Sequence, residues 1–394
     1  MNIIIGADLV PTKSNCRYFE AGDVDKLIGK DLQGKLRTAD FTIFNLEVPL
    51  TDTASPIEKC GPNLIAPTAS VAGLQAINPY FFTLANNHIM DQGAQGLAET
   101  LQVLEQAGIR VGIYCCAEYE FSIAEENLPG ANPFDPLESP DQVSRLKESC
   151  DYLIVLYHGG KEHYRYPSPY LQKVCRKLIS KGADLVVCQH SHCIGAREQW
   201  KEGTIVYGQG NFLFDRSESE YWQTGLLIDL TLSRRLSGMK QPTDDTTNAR
   251  DQAPDSASNM ALDMASDKAS DPAGDLEARI SYIPLRKSAE TVRLAEQEDA
   301  AAILTAFDRR SEEVKDPALM EKKYRQFADS MLEGYLSAFS GKKSLLYRLC
   351  NKLTGYRLSK WTLKRRYGKT ERIAIRNYVE CEAHRELALR GLRV

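Results

Sequence analysis

Several absences limit what this chain of 394 residues can be. No apolar run approaches the roughly 20 residues that span a bilayer, which excludes a membrane-spanning helix. The ten cysteines are irregularly spaced and include no repeated Cys-x-x-Cys pair, so reduced thiols are a simpler interpretation than a structural zinc knuckle. A formal net charge of −4 gives no global reason to expect specific nucleic-acid binding.

The N-terminal residues also lack the features of an export signal. Residues 1–8 contain no basic region, and their apolar run is too short for a signal peptide. We therefore expect a cytoplasmic protein, and secretion or membrane insertion would require another chain.

Histidine is scarce as well, and its placement is the most informative feature of the chain. Of six histidines, five fall in three short clusters. These are Asn86-Asn87-His88, His158-Gly159-Gly160-Lys161-Glu162-His163 and His190-Ser191-His192. Each cluster follows an apolar run typical of a strand, and α/β folds present ligand groups at strand ends. Because imidazole, carboxylate and amide oxygen together suit a divalent transition metal, the clusters predict a metal-centred site.

The first 229 residues have the pattern of an α/β domain, because short apolar runs alternate with amphipathic segments. Strands are predicted over 3–5, 41–46, 81–85, 152–157, 185–188 and 205–207. Helices are predicted over 71–77, 97–107, 143–150 and 171–181.

The composition changes near Gly238. Residues 238–275 are rich in Asp, Ser and Ala and almost free of aromatic residues, which predicts a disordered insertion. Strands predicted over 224–232 and 279–285 flank it, so we interpret the insertion as an overgrown hairpin loop. The predicted organisation is an α/β domain over 1–237, the insertion over 238–275, a returning strand of the same domain over 276–294 and a helical, basic region over 295–394.

The C-terminal region becomes basic beyond Lys342, with Tyr356, Trp361 and Tyr367 interleaved among the cations. This pattern favours a docking surface for an anionic polymer, a membrane face or a partner. A solvated helical face is the alternative interpretation.

Two carboxylates follow predicted strands in the same way. Asp8 follows the first strand and Glu47 follows the strand over 41–46. A carboxylate at the mouth of a buried strand needs a cation, a donor or water, because burying it unpaired is very costly. Taken alone, Asp8 would equally suit a helix cap or a turn.

The segment around His88 is the strongest single signal. Asn87 offers an amide oxygen as a neutral ligand, and His88 offers an adjacent acid for protonating a leaving group. Asp91 lies three residues later and could orient the His88 ring. The alternative is an Asn-rich turn with a capping Asp.

The two later histidine clusters add further candidates. His158 follows a strand directly, and Glu162 could be a ligand or a general acid or base, whereas His163 is weaker because a charged loop follows it. His190 and His192 on extended chain would point to the same side and address one metal or two. Gly210 and Asn211 suit either substrate contact or plain turn chemistry.

Taken in order, these motifs resemble the CapA-type capsule synthesis family, also called poly-γ-glutamate biosynthesis proteins, within the calcineurin-like metallophosphoesterases. The resemblance covers roughly the first 230 residues and the strand ending at Leu285. The matching residues are Asp8, Asn45-Leu46-Glu47, Ala85-Asn86-Asn87-His88, Asp91, Gly93, His158-Gly159-Gly160, Glu162, His190-Ser191-His192 and Gly210-Asn211-Phe212.

The resemblance implies an α/β fold of a particular kind, a four-layer αββα metallophosphoesterase-like sandwich, here with a helical C-terminal extension. It implies one or two divalent ions, with Mn, Fe or Zn expected. One ion would be held by Asp8, Glu47 and His192, and the other by Glu47, Asn87, His158 and His190. Glu47 would bridge the ions and His88 would donate the proton, with Asp91 and Glu162 as further catalytic groups and His163, Gly210 and Asn211 at the substrate.

The chain departs from the superfamily pattern at three positions. Val10 stands where a histidine is usual, so the first ion has one ligand fewer. Glu47 stands where the superfamily usually has a bridging aspartate, and the capsule family also has a glutamate there. Cys188 replaces a glycine and places a thiol near the predicted metals.

The resemblance implies a metal-dependent hydrolase of capsule or surface-polymer biosynthesis that acts on a phosphoester or related bond with a metal-activated water. The alternative is a non-catalytic accessory protein of polymer synthesis or export, whose metal site binds polymer or is structural. The expected partners are an anionic polymer or phosphoester substrate, and a capsule-synthesis complex or membrane surface that the basic C-terminal region meets.

Overall fold

A computed structural model of the chain describes residues 1–59, 61–107, 110–111, 114–118, 121–214, 219–234, 276–288, 290–340 and 345–380. The insertion predicted over 238–275 lies outside these residues. The chain forms two compact units, residues 1–315 and 316–394.

Strands and helices alternate through most of the first unit. The strands are β1 Asn2–Leu9, β2 Phe41–Leu46, β3 Phe81–Thr83, β4 Arg110–Val111, β5 Cys115–Ala117, β6 Ile154–His158, β7 Leu185–Gln189, β8 Arg197–Trp200, β9 Gly203–Val206, β10 Asn211–Leu213, β11 Thr224–Arg234, β12 Leu276–Lys287 and β13 Val292–Leu294. The helices are α1 Cys16–Glu20, α2 Val24–Leu27, α3 Lys30–Arg37, α4 Val71–Ala76, α5 Gly93–Gln106, α6 Ser139–Lys147, α7 Pro169–Ser180, α8 Glu220–Gln223 and α9 Gln297–Glu313.

The described strands form two mixed sheets. The first has the order β13-β12-β11-β1-β2-β3-β4, and β10 also pairs with β1. Its strands β1 to β4 are parallel, whereas β11 runs antiparallel to β1 and to β12. The second sheet has the order β5-β6-β7-β9-β8, with only β8 antiparallel to its neighbour. The predicted α/β class is confirmed at this level.

The two sheets share a core. Ile5 and Ile43 of the first sheet belong to the same buried cluster as Leu156 and Val187 of the second. On the other face of the first sheet, Phe44 packs in a cluster with residues of α1, α3 and α5. Because parallel strands of the facing sheets end near one another, the residues that follow them can meet.

The end of β7 corrects one expectation about Cys188. Successive side chains of a strand point to opposite faces, and Val187 points into the core between the sheets. Cys188 therefore points toward α7, where its Sγ lies 3.5 Å from the Sγ of Cys175. The thiol lies against a helix and not beside the predicted metal ligands.

A close approach explains why residue 6 is glycine. A Cβ at Gly6 would lie 2.3 Å from the ring of Phe44. The register between β1 and β2 also shifts between Ile5 and Asp8. This irregularity places Asp8 directly opposite Asn45 of β2.

Helix α9 belongs to the first unit, although the sequence pattern grouped it with the helices that follow. Its Phe307 is buried with Ile194 and Leu226, and Arg310 donates from Nε to the carbonyl of Gly195 at 2.7 Å. Helical periodicity reveals an apolar stripe but not the surface that the stripe packs against. The other predicted domain boundaries stay predictions.

The second unit is helical in its described part. Its helices are α10 Pro317–Phe339, α11 Leu345–Leu353, α12 Arg357–Arg366 and α13 Lys369–Glu380. The Asp316 side chain caps α10 by accepting from the amides of Ala318 and Leu319. Leu336 and Leu363 are among the few buried apolar residues here. Across the described residues, no helix is long and apolar enough to cross a bilayer.

Candidate metal centre

Five buried carboxylate and imidazole side chains meet at the strand ends. Their ligand atoms form two groups, and within each group all the atoms lie within 4.8 Å of one another. The groups are Asp8, Glu47 and His192, and Glu47, His158 and His190. Since Glu47 belongs to both groups, the cluster could hold one ion or two that share this carboxylate.

The carboxylates lie in positions that call for a cation. Asp8 accepts from Nδ2 of Asn45 at 2.8 Å through Oδ1, but its Oδ2 has no hydrogen-bond partner. Neither oxygen of Glu47 has one, although Oε1 lies 3.4 Å from Nε2 of His158. Both residues are fully buried. Oδ2 of Asp8 lies 3.5 Å from Nδ1 of His192. Because a buried carboxylate without hydrogen-bond partners is costly, these oxygens are suited to a bound cation.

Amide side chains orient the imidazoles. Oδ1 of Asn87 lies 2.9 Å from Nε2 of His158, which brings this amide to the Glu47–His158–His190 group. Oδ1 of Asn211 lies 2.8 Å from Nδ1 of His192. Nε2 of His158 also faces Glu47, so Asn87 and this ring nitrogen approach the same ligand group.

The backbone at two of the histidines is in the left-handed region. His190 has a φ of 83° and His192 a φ of 52°. The expectation that they alternate as in a strand is therefore wrong, because β7 ends at Gln189. Both imidazoles still reach the cluster, their ring centroids 6.0 Å apart. Backbone strain of this kind persists where the surrounding structure imposes it, often at functional sites.

The acid–base properties of the cluster are strongly perturbed. Burial and the charge of Asp8 raise the pKa of Glu47 to about 8. Burial opposes the ionisation of Asp8, but His192 and His158 outweigh it and lower the pKa of Asp8 to about 2. Burial also opposes the charging of His192, whose pKa Glu47 and Asp8 nevertheless raise to about 9. Protons in this cluster compensate charges that a metal ion would otherwise balance.

His88 lies beside the cluster with two charged partners. Its Nδ1 lies 2.6 Å from Oδ2 of Asp91, as the spacing of the two residues predicted. Lys59 forms an ion pair with Asp91, and its Nζ lies 3.2 Å from Nδ1 of His88. The side chain of Lys59 is only 2% exposed. With Asp91 holding Nδ1, the other ring nitrogen of His88 is left for proton exchange.

A cavity of about 650 Å³ opens beside His88. Val10, Lys13, Asn63 and Phe214 are among its lining residues. The side chain of Val10 contributes an apolar wall. The cavity gives a substrate access to His88.

The remaining predicted site residues have different surroundings. Glu162 is partly buried, and the charges of His192 and His190 overcome the effect of burial and lower its pKa. His163 is exposed, with its ring centroid 5.3 Å from that of Tyr221. Asn211 contacts His192 instead of lining the cavity. Their catalytic and substrate roles stay predictions.

Three residues of the site had no predicted role: Asn45, which was quoted only as part of a motif, and Lys59 and Trp222, which were not identified. Asn45 donates from Nδ2 to Asp8 and lies 3.3 Å from Nδ1 of His158, and Trp222 stacks on His192 with centroids 4.5 Å apart. Asn45 had a detectable signal, because it lies two residues before Glu47 and opposite Asp8 in the register. Lys59 and Trp222 lie outside the quoted motifs, and no local pattern marks them.

The fold and the cluster together define a class: an α/β protein with carboxylates, imidazoles and amides gathered at strand ends in the manner of a divalent-metal centre. The sequence profile of the family described as "Bacterial capsule synthesis protein PGA_cap" matches residues 8–132 and 115–216, which is more than half of the chain. The chain belongs to this family.

Three similar proteins have names that refer to the biosynthesis of a capsule or a polymer. The capsule biosynthesis protein CapA of Bacillus anthracis is 28% identical over 214 residues, 46% of this chain and 52% of that protein. The PGA biosynthesis protein CapA of Bacillus subtilis (strain 168) is 28% identical over 208 residues, 46% of this chain and 54% of that protein. A "Probable polyglutamine synthesis accessory protein" of Mycobacterium tuberculosis is 26% identical over 212 residues, 45% of this chain and 56% of that protein. The chain thus spans about half the length of the curated relatives it matches.

Among solved structures, a hypothetical protein from Thermus thermophilus is similar with a TM-score of 0.34 and 13% sequence identity. The similarity covers 60% of this chain and 94% of that protein.

Proposed function

We propose that this chain is a divalent-metal-dependent hydrolase of capsular-polymer biosynthesis that cleaves a phosphoester or related bond. The sharing of Glu47 by the two ligand groups carries the proposal, because a bridging carboxylate is what a two-ion hydrolase requires. The unsatisfied buried oxygens of Glu47 and Asp8 support it. The family membership gives the biological process.

In this proposal the ligand sets are those of the two groups. Asp8, Glu47 and His192 would hold one ion, and Glu47, Asn87, His158 and His190 the other. Mn, Fe or Zn fits this mixture of nitrogen and oxygen donors, and such ions activate a water and neutralise phosphoryl charge when bound. The proposal includes a four-layer αββα arrangement, which the shared core of the two sheets and the helices packed against them favour.

The residues of the chain supply the remaining chemistry. Water adds to phosphorus, the ester P–O bond breaks, and the leaving oxygen takes a proton from His88. Asp91 holds Nδ1 of His88, and Lys59 holds Asp91 through their ion pair. Despite its burial, Glu162 has a pKa lowered by His192 and His190, and in this proposal its carboxylate accepts the proton that the attacking water loses.

A second candidate is a non-catalytic accessory role in polymer synthesis or export. Val10 at the cavity wall favours it, since the missing imidazole leaves the first ion with few ligands. The name of the Mycobacterium tuberculosis relative refers to such a role for that protein.

Elemental analysis of the purified protein and activity assays on a panel of phosphate esters distinguish the hydrolase from the accessory role. We expect the protein to bind Mn²⁺, Fe²⁺ or Zn²⁺ and, once loaded, to hydrolyse an aryl phosphate mono- or diester. His88→Gln should lower turnover by about 10²–10⁴-fold with the metal retained. Glu47→Gln should lose metal and activity together, whereas Glu202→Gln, at an exposed turn, should lose neither.

Two outcomes would contradict these expectations. A metal-loaded protein inactive on mono-, di- and pyrophosphate esters would refute the hydrolase and leave the accessory role. A protein that takes up no metal would refute the hydrolase and also an accessory role that depends on the metal site.

A further inference from the structure

The described end of the second unit is strongly cationic. Residues 345–380 contain ten Lys and Arg against two acids, Glu371 and Glu380, a formal charge of +8 in a chain whose net charge is −4. The rest of the chain therefore carries −12. Such a segregated charge creates a local field for an anionic partner that the whole-chain charge conceals.

The cations converge on a groove along α12 and α13. Lys364, Lys369, Arg372 and Arg376 line it together with Ile373 and Tyr367. Its volume is about 490 Å³. Lys364 and Arg372 also line an adjoining groove, which Lys360 shares with the acidic Asp329 and Glu333, so the positive charge is concentrated in the first groove. We call the residues of the first groove, with Trp361, the basic groove.

Large apolar side chains are exposed in the same segment. Trp361 and Ile373 are each 58% exposed, and Leu353 of α11 is 85% exposed. The Arg365 guanidinium lies 5.4 Å from the Trp361 ring centroid, so a cation and an aromatic ring share one helical face. Water solvates the cations well but not these apolar groups, and this combination therefore needs a partner with both anionic and apolar character.

We propose that the basic groove is a docking site for the surface of an anionic lipid bilayer. Lipid phosphates match the four groove cations, and the boundary between headgroups and acyl chains accommodates exposed Trp, Ile and Leu side chains. A hydrophilic polyanion would leave the apolar side chains in water. A second copy of the same face would bring like charges together.

Vesicle flotation of the full-length chain tests this docking site. We expect binding to vesicles of phosphatidylcholine with phosphatidylglycerol, little binding to phosphatidylcholine alone, and a decrease with added salt. Lys364→Gln with Arg372→Gln should weaken binding by about 25-fold, since each cation near a charged bilayer contributes about fivefold. The matched control Lys173→Gln with Lys177→Gln, at exposed positions of α7, should bind as the unmodified chain does.

A second measurement uses the unmodified chain, so it does not require the variant Lys364→Gln with Arg372→Gln to fold. Brominated lipids should quench part of the emission of the three tryptophans in the unmodified chain. Trp361→Ala should remove the quenched part and weaken binding without changing its salt dependence. Tyr170→Ala is the control, because Tyr170 is also 58% exposed but lies outside the second unit.

The alternatives predict different results. Equal binding to neutral and anionic vesicles, or absent quenching, would overturn the proposal. Competition by soluble polyglutamate without vesicle binding would identify a polyanion site instead. Groove-dependent dimerisation without vesicle binding would identify an interface between copies.

Discussion

Replacing Glu47 by Gln provides a strong test of the candidate metal centre. Without metal the buried, ionised carboxylate lowers the stability of the fold, whereas with metal the same carboxylate is needed as a ligand. Its pKa rises from 4.5 in the unfolded chain to about 8 in the fold. The fold therefore favours the protonated form of Glu47. This stabilisation is fully present below pH 4.5 and is lost as the pH rises through about 8. His192 acts in the same direction, since its pKa rises from 6.5 to about 9. The metal-free protein should lose stability from about pH 5 to about pH 9.

The size of this effect follows from the pKa of Glu47. One pKa unit corresponds to about 1.4 kcal/mol, so the change from 4.5 to about 8 corresponds to about 5 kcal/mol of unfolding free energy. The His192 imidazolium offsets part of the cost of the ionised carboxylate. Between about pH 5 and pH 9, we therefore expect the unfolding free energy of Glu47→Gln to rise by about 3–5 kcal/mol relative to that of the unmodified protein.

Metal should reverse the order of stability. Urea unfolding followed by circular dichroism compares Glu47→Gln with the unmodified protein, first in the presence of a chelator and then in the presence of Mn²⁺. Only the unmodified protein should be stabilised, by about 4 kcal/mol at a thousand times the dissociation constant. Glu202→Gln should follow the unmodified protein throughout. A difference independent of pH, or equal stabilisation of both proteins by Mn²⁺, would refute the assignment of Glu47.

Three further predictions concern stability. Lys59→Met should lower the unfolding free energy by about 3–5 kcal/mol, because it leaves the buried Asp91 carboxylate without its ammonium partner. Gly6→Ala should cost about 1–3 kcal/mol in the same urea assay, since the added methyl meets the Phe44 ring. Replacing residues 235–275 by a short turn should leave the melting temperature unchanged, because β11 and β12 stay paired to the ends of their described ranges.

Two substitutions at sites without these contacts serve as controls. Gly34→Ala in α3 should be neutral or stabilising, because a Cβ there meets nothing within 4 Å. Lys13→Met at an exposed position should cost far less than Lys59→Met. Loss of the cooperative transition on shortening 235–275 would show that this segment contributes to the fold.

Local sequence pattern was enough to predict the elements that carry the candidate ligands. The strand predicted over 41–46 has the observed bounds of β2, and those over 152–157 and 185–188 match β6 and β7 to within two residues. Apolar runs identify buried strands because each run must be removed from water wherever it lies in the fold. The short helices α1 to α3 were missed, since they have too few turns for a clear periodicity.

The sequence by itself determined that carboxylate, amide and imidazole groups follow the predicted strands, because apolar runs mark those strands locally. The six candidate ligands, Asp8, Glu47, Asn87, His158, His190 and His192, were implied by the resemblance of its motifs to the capsule synthesis family. Only the tertiary structure decided that Glu47 lies in both ligand groups, that Lys59 pairs with Asp91 and that Trp222 packs on His192. These contacts join segments distant in the chain, and they depend on how two sheets face each other, which no periodicity within one segment encodes.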